Sequence, residues 1–351
     1  MKCVRDGWRV PRISRGWRPG MQHAMPAKLY LLAMLIPAVP VLAVSSQLDP
    51  GELMPLRQAK SASSAGPEIT PLRVNVNEVV VTFNAMDANG LPITDLKADE
   101  VRVRDNGVPP RRIVAFDKLA NRPLRVGILL DTSESMQQTL PSHKAIAEKF
   151  VERLFRPKTD AAFVSSFGFG SEVLRSWSGD PALVATAIRA AGQKRSQQPG
   201  TAIFNAVFQA CSSSFKSADP TATGNFILLF SDGEDNAGLA SSDEAARACQ
   251  RSNTEVFAFL SGSSSSHAST GPKSLRELAS KTGGQVFAAE DSDEAIWRNL
   301  QEIELEMRNQ YRLVYNPADL KHDGAFHEIE LQPPDRVSRI VARSGYFAPS
   351  H

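Results

Sequence analysis

The stretch "GILLDTSESM", Gly127 to Met136, decides the reading of the fold. An apolar run from Val126 to Leu130 stops at Asp131, and two hydroxyls follow at alternate positions, Ser133 and Ser135. A short run that is apolar at every position, not at every second one, predicts a strand buried on both faces. Its exposed tip would then gather one carboxylate and two hydroxyls.

Runs of the same kind recur downstream at Ala161 to Phe167, Phe226 to Phe230, Val256 to Leu260 and Gln285 to Ala288. Between them lie helical patterns at Ser142 to Leu154, Pro181 to Ala191, Ala202 to Ser214, Ser242 to Gln250, Ser274 to Lys281 and Asp293 to Arg308. Doubly buried strands separated by helices predict an α/β fold with a doubly wound, mostly parallel sheet of Rossmann-like type. Ahead of this block, "LRVNVNEVVVTFNAMDANG" alternates through Val74, Val76, Val79, Val81 and Phe83 to a turn at Asn89 and Gly90. "VRVRDNGVPPRRIVAF" alternates around Asn106 and Gly107, a hairpin signal. Together they predict a small β-sandwich-like unit. The closing segments "QYRLVYNP", "FHEIELQPP" and "RIVARSGYF" are short strands that either pair with one another or complete the early unit.

In a doubly wound sheet ligands bind at the carboxyl ends of the strands. There "FSDGEDN" places Asp232 directly after the apolar "FILLF", and "QPGTAIFNAV" places Thr201 at the opening of a helix. Asp131, Ser133, Ser135, Thr201 and Asp232 form an all-oxygen set, which suits a hard divalent cation; Mg²⁺ is the first choice, with Mn²⁺ or Ca²⁺ as alternatives. The plainer reading is that Asp131 and Ser133 only cap the next helix. Glu234 and Asp235 read as a solvated turn. Six histidines and three cysteines form no close cluster, so zinc is not indicated. No G-x-S-x-G elbow is present, and His143, His267, His322 and His327 fall on expected surface or edge segments, which argues against a serine hydrolase. The tail tyrosines Tyr311, Tyr315 and Tyr346 read as core aromatics.

The whole chain of 351 residues has a formal charge of +2. Seven basic residues lie before residue 46 with only Asp6 against them, so the remainder carries −4 and offers no support for nucleic-acid binding. "KLYLLAMLIPAVPVLAVSSQ", Lys28 to Gln47, has the basic residue, apolar core and small-residue end of a secretory signal peptide. Its core from Leu29 to Val44 contains Pro37 and Pro40 and is shorter than the ~20 residues of a spanning helix, so a membrane anchor through residues 29–44 is the alternative and no stable span is expected after cleavage. The stretch before it is long for a leader, and Met21 or Met25 would make better starts. The expected organisation is a signal peptide over 1–45, a flexible Ser/Pro/Ala/Gly linker over 46–70, a β unit over 71–120, the α/β domain over 121–309 and a β extension over 310–351. A secreted or periplasmic location follows.

The pattern D-x-S-x-S, a distant Thr and a later Asp, each at a strand end and in order, resembles the metal-ion-dependent adhesion site of the von Willebrand factor type A domain over about Leu124 to Arg308. That resemblance implies that Ser133, Ser135 and Thr201 coordinate a metal directly and Asp131 and Asp232 partly through water. It also implies a module that is not an enzyme and binds an acidic residue of a protein partner. The chain from Leu72 to Pro349 is similar to the exported VWFA-related proteins described from Acidobacteria. The strand order of the type A family would put the helices bearing Cys211 and Cys249 on one face, making them a candidate disulfide, with two buried free thiols as the alternative. The rival functions are a structural or assembly protein with a stabilising metal and a metal-dependent hydrolase.

Overall fold

The computed structural model describes residues 78–193, 198–216, 222–261, 270–289 and 292–350. The signal segment, the linker and the alternation at Leu72 to Val76 lie outside the described residues. Among those described, no helix is long and apolar enough to cross a membrane.

The centre is a six-stranded sheet of β4 (Leu124–Asp131), β5 (Ala161–Phe167), β6 (Ser171–Ser178), β7 (Gly224–Ser231), β8 (Thr254–Leu260) and β9 (Val286–Ala288), ordered β6-β5-β4-β7-β8-β9. All neighbours run parallel except β6, which pairs antiparallel with β5. Every residue of β7 is buried, as the unbroken apolar run predicts for a central strand. Alternate strand residues feed two cores. Val126, Ile128 and Leu130 pack with Phe226, Leu228 and Phe230 against helices α1 (Leu140–Arg153), α2 (Pro181–Ala190) and α6 (Asp293–Arg308). Leu129, Ile227 and Leu229 pack against α3 (Ile203–Gln209), α4 (Ser242–Arg251) and α5 (Thr270–Thr282) on the other face.

The edge strand β6 has no counterpart in the sequence reading. Its first three residues are exposed and its pairing with β5 is irregular, so it shows neither an apolar run nor clean alternation.

The remaining strands build a β-sandwich from both ends of the described chain. One sheet is ordered β12 (Arg339–Ala342), β1 (Val79–Met86), β10 (Asn309–Asn316) and β3 (Arg112–Ala120). The other is β13 (Gly345–Phe347), β11 (Phe326–Gln332) and β2 (Arg102–Asp105). Val81, Phe83, Val103, Leu313, Tyr315 and Ile329 fill the space between them. Of the two arrangements open to the closing strands, the protein therefore uses completion of the early unit, with β11 and β13 also pairing together.

The turn expected at Asn106 and Gly107 forms and closes one antiparallel bridge, but the flanking strands do not pair beyond it. Both residues have the positive φ of a tight turn (49° and 77°), and Asp105 and Val108 exchange backbone bonds of 2.9 and 3.0 Å. Pro109 and Pro110 follow, and without N–H groups they cannot extend a ladder. β2 pairs with β11, while β3 crosses to the other sheet and pairs with β10.

The sandwich is fastened to the end of the central sheet opposite the carboxyl tips. Asp160 accepts from the backbone N–H groups of Leu124 and Arg156, each 2.9 Å, and from Arg308 at 2.7 Å, a buried ion pair at the end of α6. Glu255, at the start of β8, accepts from Thr82 of β1 at 2.8 Å and from Gln310 of β10 through both oxygens.

Candidate metal centre

Leu130 and Phe230 are paired across adjacent parallel strands, so the tips of β4 and β7 lie side by side. Asp131 is fully buried there: one carboxylate oxygen accepts from the Ser133 N–H at 2.9 Å and the other from the Ser231 hydroxyl at 2.7 Å. The same hydroxyl accepts from the Gly233 N–H at 3.1 Å, which fixes the turn carrying Asp232. Ser133 and Ser135 place their hydroxyl oxygens 3.3 Å apart. Glu134, whose role the sequence left open, is exposed on a short turn.

Thr201 comes from a third loop, which hydrogen bonds lace to the others. Its N–H donates to the Asn236 side chain at 2.8 Å, and its carbonyl accepts from the N–H groups of Asn236 and Ala237, both 3.0 Å. Ala202 donates to the Gly168 carbonyl at 2.8 Å, tying the start of α3 to the loop after β5. Gly200 adopts φ +113°, and a Cβ there would lie 2.8 Å from that of Ala237, so only glycine lets the loops close. All five expected residues thus stand at one end of the sheet, on three loops that are bonded together.

Several residues that fix this geometry went unread in the sequence. Asp235, expected in a solvated turn, instead accepts from the Phe204 N–H at 2.9 Å and from Gly238 at 3.0 Å, capping α3 from a distant loop. The residue that locally precedes α3, Ala202, has no side chain to do so. Asn205 accepts from the N–H groups of Leu239 and Ala240. His143, expected at the surface, is fully buried against Phe230, its Nε2 and the Ser261 hydroxyl 2.6 Å apart, and burial pulls its pKa down to about 4. His327, also expected on a surface or edge segment, is buried with its Nδ1 2.9 Å from Asp105, to which Tyr315 and Tyr346 donate. A capping residue that acts across loops has no fixed sequence spacing, so no local signal marks Asp235 or Asn205.

The electrostatics fit a cation. Burial pushes the Asp131 carboxyl up to about 6, opposed by the bonds from Ser133 and Ser231 and reinforced by the nearby carboxylate of Asp232. Among the described residues no Lys or Arg ion-pairs with either acid. Two neighbouring carboxylates, one buried and neither neutralised, with hydroxyls around them, make a set of hard oxygen donors short of positive charge. No group of three or more His, Cys, Asp or Glu side chains among the described residues is placed to hold a metal, so any ion here depends on the hydroxyls.

Cys211, in the single π-turn that ends α3 (Ala210–Ser214), is bridged to Cys249 of α4 across a Cα separation of 4.9 Å. The two helices lie on the same face of the sheet.

Solved structures similar to this chain include BatB from Bacteroides thetaiotaomicron, at 19% identity over 51% of this chain and 97% of that one, with a TM-score of 0.41. An aerotolerance-related membrane protein from Bacteroides fragilis is 21% identical over 51% of this chain and 98% of its own, with a TM-score of 0.42. Proximal thread matrix protein 1 from the mussel byssus, solved with a zinc-occupied MIDAS motif, is 16% identical over 54% of this chain and 48% of its own, with a TM-score of 0.43. No curated protein matches. The von Willebrand factor type A domain matches residues 126–304, just over half of the sequence, and the chain belongs to that family.

Proposed function

We propose that Asp131, Ser133, Ser135, Thr201 and Asp232 hold one divalent cation, and that the loaded site captures a carboxylate of a protein partner without catalysing a reaction. Type A domains are often metal-dependent protein-interaction modules, which supports the reading for this chain. The observation that carries it is the buried Asp131, without a Lys or Arg partner among the described residues, beside Asp232 and the adjacent hydroxyls of Ser133 and Ser135. Bound there, a hard cation would supply a positive centre to which an incoming carboxylate can bond. This chain's own residues position it: Ser231 and the Ser133 N–H orient the Asp131 carboxylate, and Asn236 holds the Thr201 loop against the others. Mg²⁺ is the proposed ion, because a shell with neutral hydroxyls and few carboxylates leaves positions for water that a ligand oxygen can replace. Among the described residues His143, the histidine nearest the site, is sequestered behind it with Ser261, which disfavours its use as a general base.

We place the protein outside the cytoplasm. The signal-like segment before residue 46 supports this, as does the Cys211–Cys249 bridge, a bond that persists in oxidising compartments.

Isothermal titration with Mg²⁺ and Mn²⁺ tests the site. Wild type is expected to bind one ion, and Asp131→Ala to lose affinity at least tenfold while keeping its melting transition. Capture from an extracytoplasmic fraction with Mg²⁺ and with chelator then separates a binding module from a metal that only stabilises the sheet tip. If wild type takes up neither ion at millimolar concentration, these residues are turn and cap chemistry alone.

A further inference from the structure

Beside the proposed metal site stand apolar side chains that the described residues leave partly or almost wholly uncovered. Leu239 is 94% exposed and Phe169 44% exposed. Isolated exposed apolar residues are ordinary on protein surfaces; these differ in where they stand and how they are held. Phe169 is the tip of a tight turn, with Gly168 donating to the Gly170 carbonyl at 3.0 Å and the Gly168 carbonyl accepting from Ala202 at the start of α3. Its ring lies 3.8 Å, and the Ala237 methyl 2.8 Å, from where a Cβ on Gly200 would be, so Phe169 and Ala237 both border the residue that precedes Thr201. Leu239 follows two positions on, its N–H held at 2.9 Å by Asn205, in the first turn of the helix that Thr201 opens. The loop between is fixed at Asp235, Asn236 and Ala240 as well. A loop free to move would let its leucine fold back onto the protein. Here the fastened backbone keeps it presented.

The charges on the same rim narrow the partner further. Glu134 and Glu234 are exposed on the two loops that carry Ser133 and Asp232. They repel a run of acids, so only a carboxylate that reaches the ion itself is favoured.

We propose that this face recognises a surface segment of a protein partner in which one acidic residue is flanked by a large apolar one, the carboxylate going to the metal and the apolar side chain to the strip of Phe169, Ala237 and Leu239. The inference rests on the metal reading above and adds a specificity that the metal alone does not give. Partly covering one leucine-sized side chain is worth about tenfold in affinity.

The test uses immobilised Gly/Ser decapeptides with a central Glu-Leu, Glu-Phe, Glu-Ser or Glu-Lys pair, probed with the full chain in Mg²⁺ and in EDTA. The expected result is retention on Glu-Leu and Glu-Phe about tenfold above Glu-Ser and Glu-Lys, abolished by EDTA. Leu239→Ser and Phe169→Ser should each reduce that preference to near unity while Mg²⁺ titration and the melting transition stay as in wild type. Equal retention on Glu-Ser, retention by both variants equal to wild type, or no retention on any peptide by a protein that titrates Mg²⁺ normally would overturn the proposal and leave the metal site standing. Failure of wild type to titrate Mg²⁺ would remove both.

Discussion

Glu306 gives the sharpest test of how the sandwich is joined to the α/β domain. It lies on the last turns of α6 with its side chain fully buried. One carboxylate oxygen accepts from Arg339 of β12 at 3.0 Å and from the Gln285 side chain ahead of β9; the other has no partner. Burial pushes its pKa from 4.5 up to about 7, with the carboxylates of Glu302 and Glu255 adding and the bond from Gln285 and the charge of Arg339 opposing. Because the folded value is raised, the unfolded chain releases its proton first. The stability contributed by neutral Glu306 is complete below about pH 4.5 and is lost as pH rises through about 7. The span corresponds to about 3 kcal/mol. Glu306→Gln removes the charge and keeps an oxygen that accepts from both Arg339 and Gln285. Urea denaturation of both proteins at pH 4.5 and pH 8 isolates the effect, since Glu255 and Asp131 titrate in each. The variant should gain about 3 kcal/mol on wild type between the two pH values. If the difference between the two proteins is the same at both, Glu306 is ionised in the fold throughout and the argument from burial fails.

Metal binding should weaken with acid, because the cation needs the Asp131 carboxylate, whose pKa is about 6; Mn²⁺ titrations at pH 7.5, 6 and 5 should show affinity steady above the pKa and falling up to about tenfold per pH unit below it. Cys211→Ser should cost about 2–4 kcal/mol by freeing a loop of 38 residues, and reductant should shift the thermal melt of wild type but not of the variant. Gly271→Ala would bring a Cβ to 2.4 Å from the Gly233 carbonyl oxygen, backbone against backbone, so a loss of about 1–3 kcal/mol in urea is expected, with weaker Mg²⁺ binding through the neighbouring Asp232. Asp235→Ala should cost about 1 kcal/mol as a lost cap of α3 and loosen Thr201, seen as a smaller loss of metal affinity than Asp131→Ala shows.

What the sequence makes legible, and what it hides, follows from the range of the forces involved. The central strands are readable because burial on both faces forces an apolar residue at every position, and Gly224–Ser231 meets that demand without exception. Asp131, Ser133, Ser135 and Asp232 are readable because they end or follow strands, where an apolar run breaks at an acid, whereas Thr201 opens a helix and is read from the order of the pattern. β6 escapes because an exposed edge imposes no such demand. Asp235 and Asn205 escape because their partners are more than thirty residues away. His143 and His327 escape because a buried histidine is specified by a partner, Ser261 or Asp105, more than a hundred residues distant.

The two ends of the central sheet are built for opposite purposes. At the amino ends of the strands, buried acids find partners: Asp160 meets Arg308, and Glu255 receives Thr82 and Gln310 from two strands of the sandwich. The contacts of Glu255 cross from one unit to the other, and the two acids hold β4 and β8 at their starts. At the carboxyl ends the backbone is fixed just as firmly, through Ser231, Asp235, Asn236 and Asn205, yet among the described residues Asp131 and Asp232 have no basic partner and Leu239 no cover. Weak packing would leave charge and apolar surface unmatched along with a loose backbone. Here the backbone is tight and the side chains are unmatched, in positive charge and in apolar contact. A cation answers the first deficit, and a partner bearing an acid beside an apolar residue answers the second.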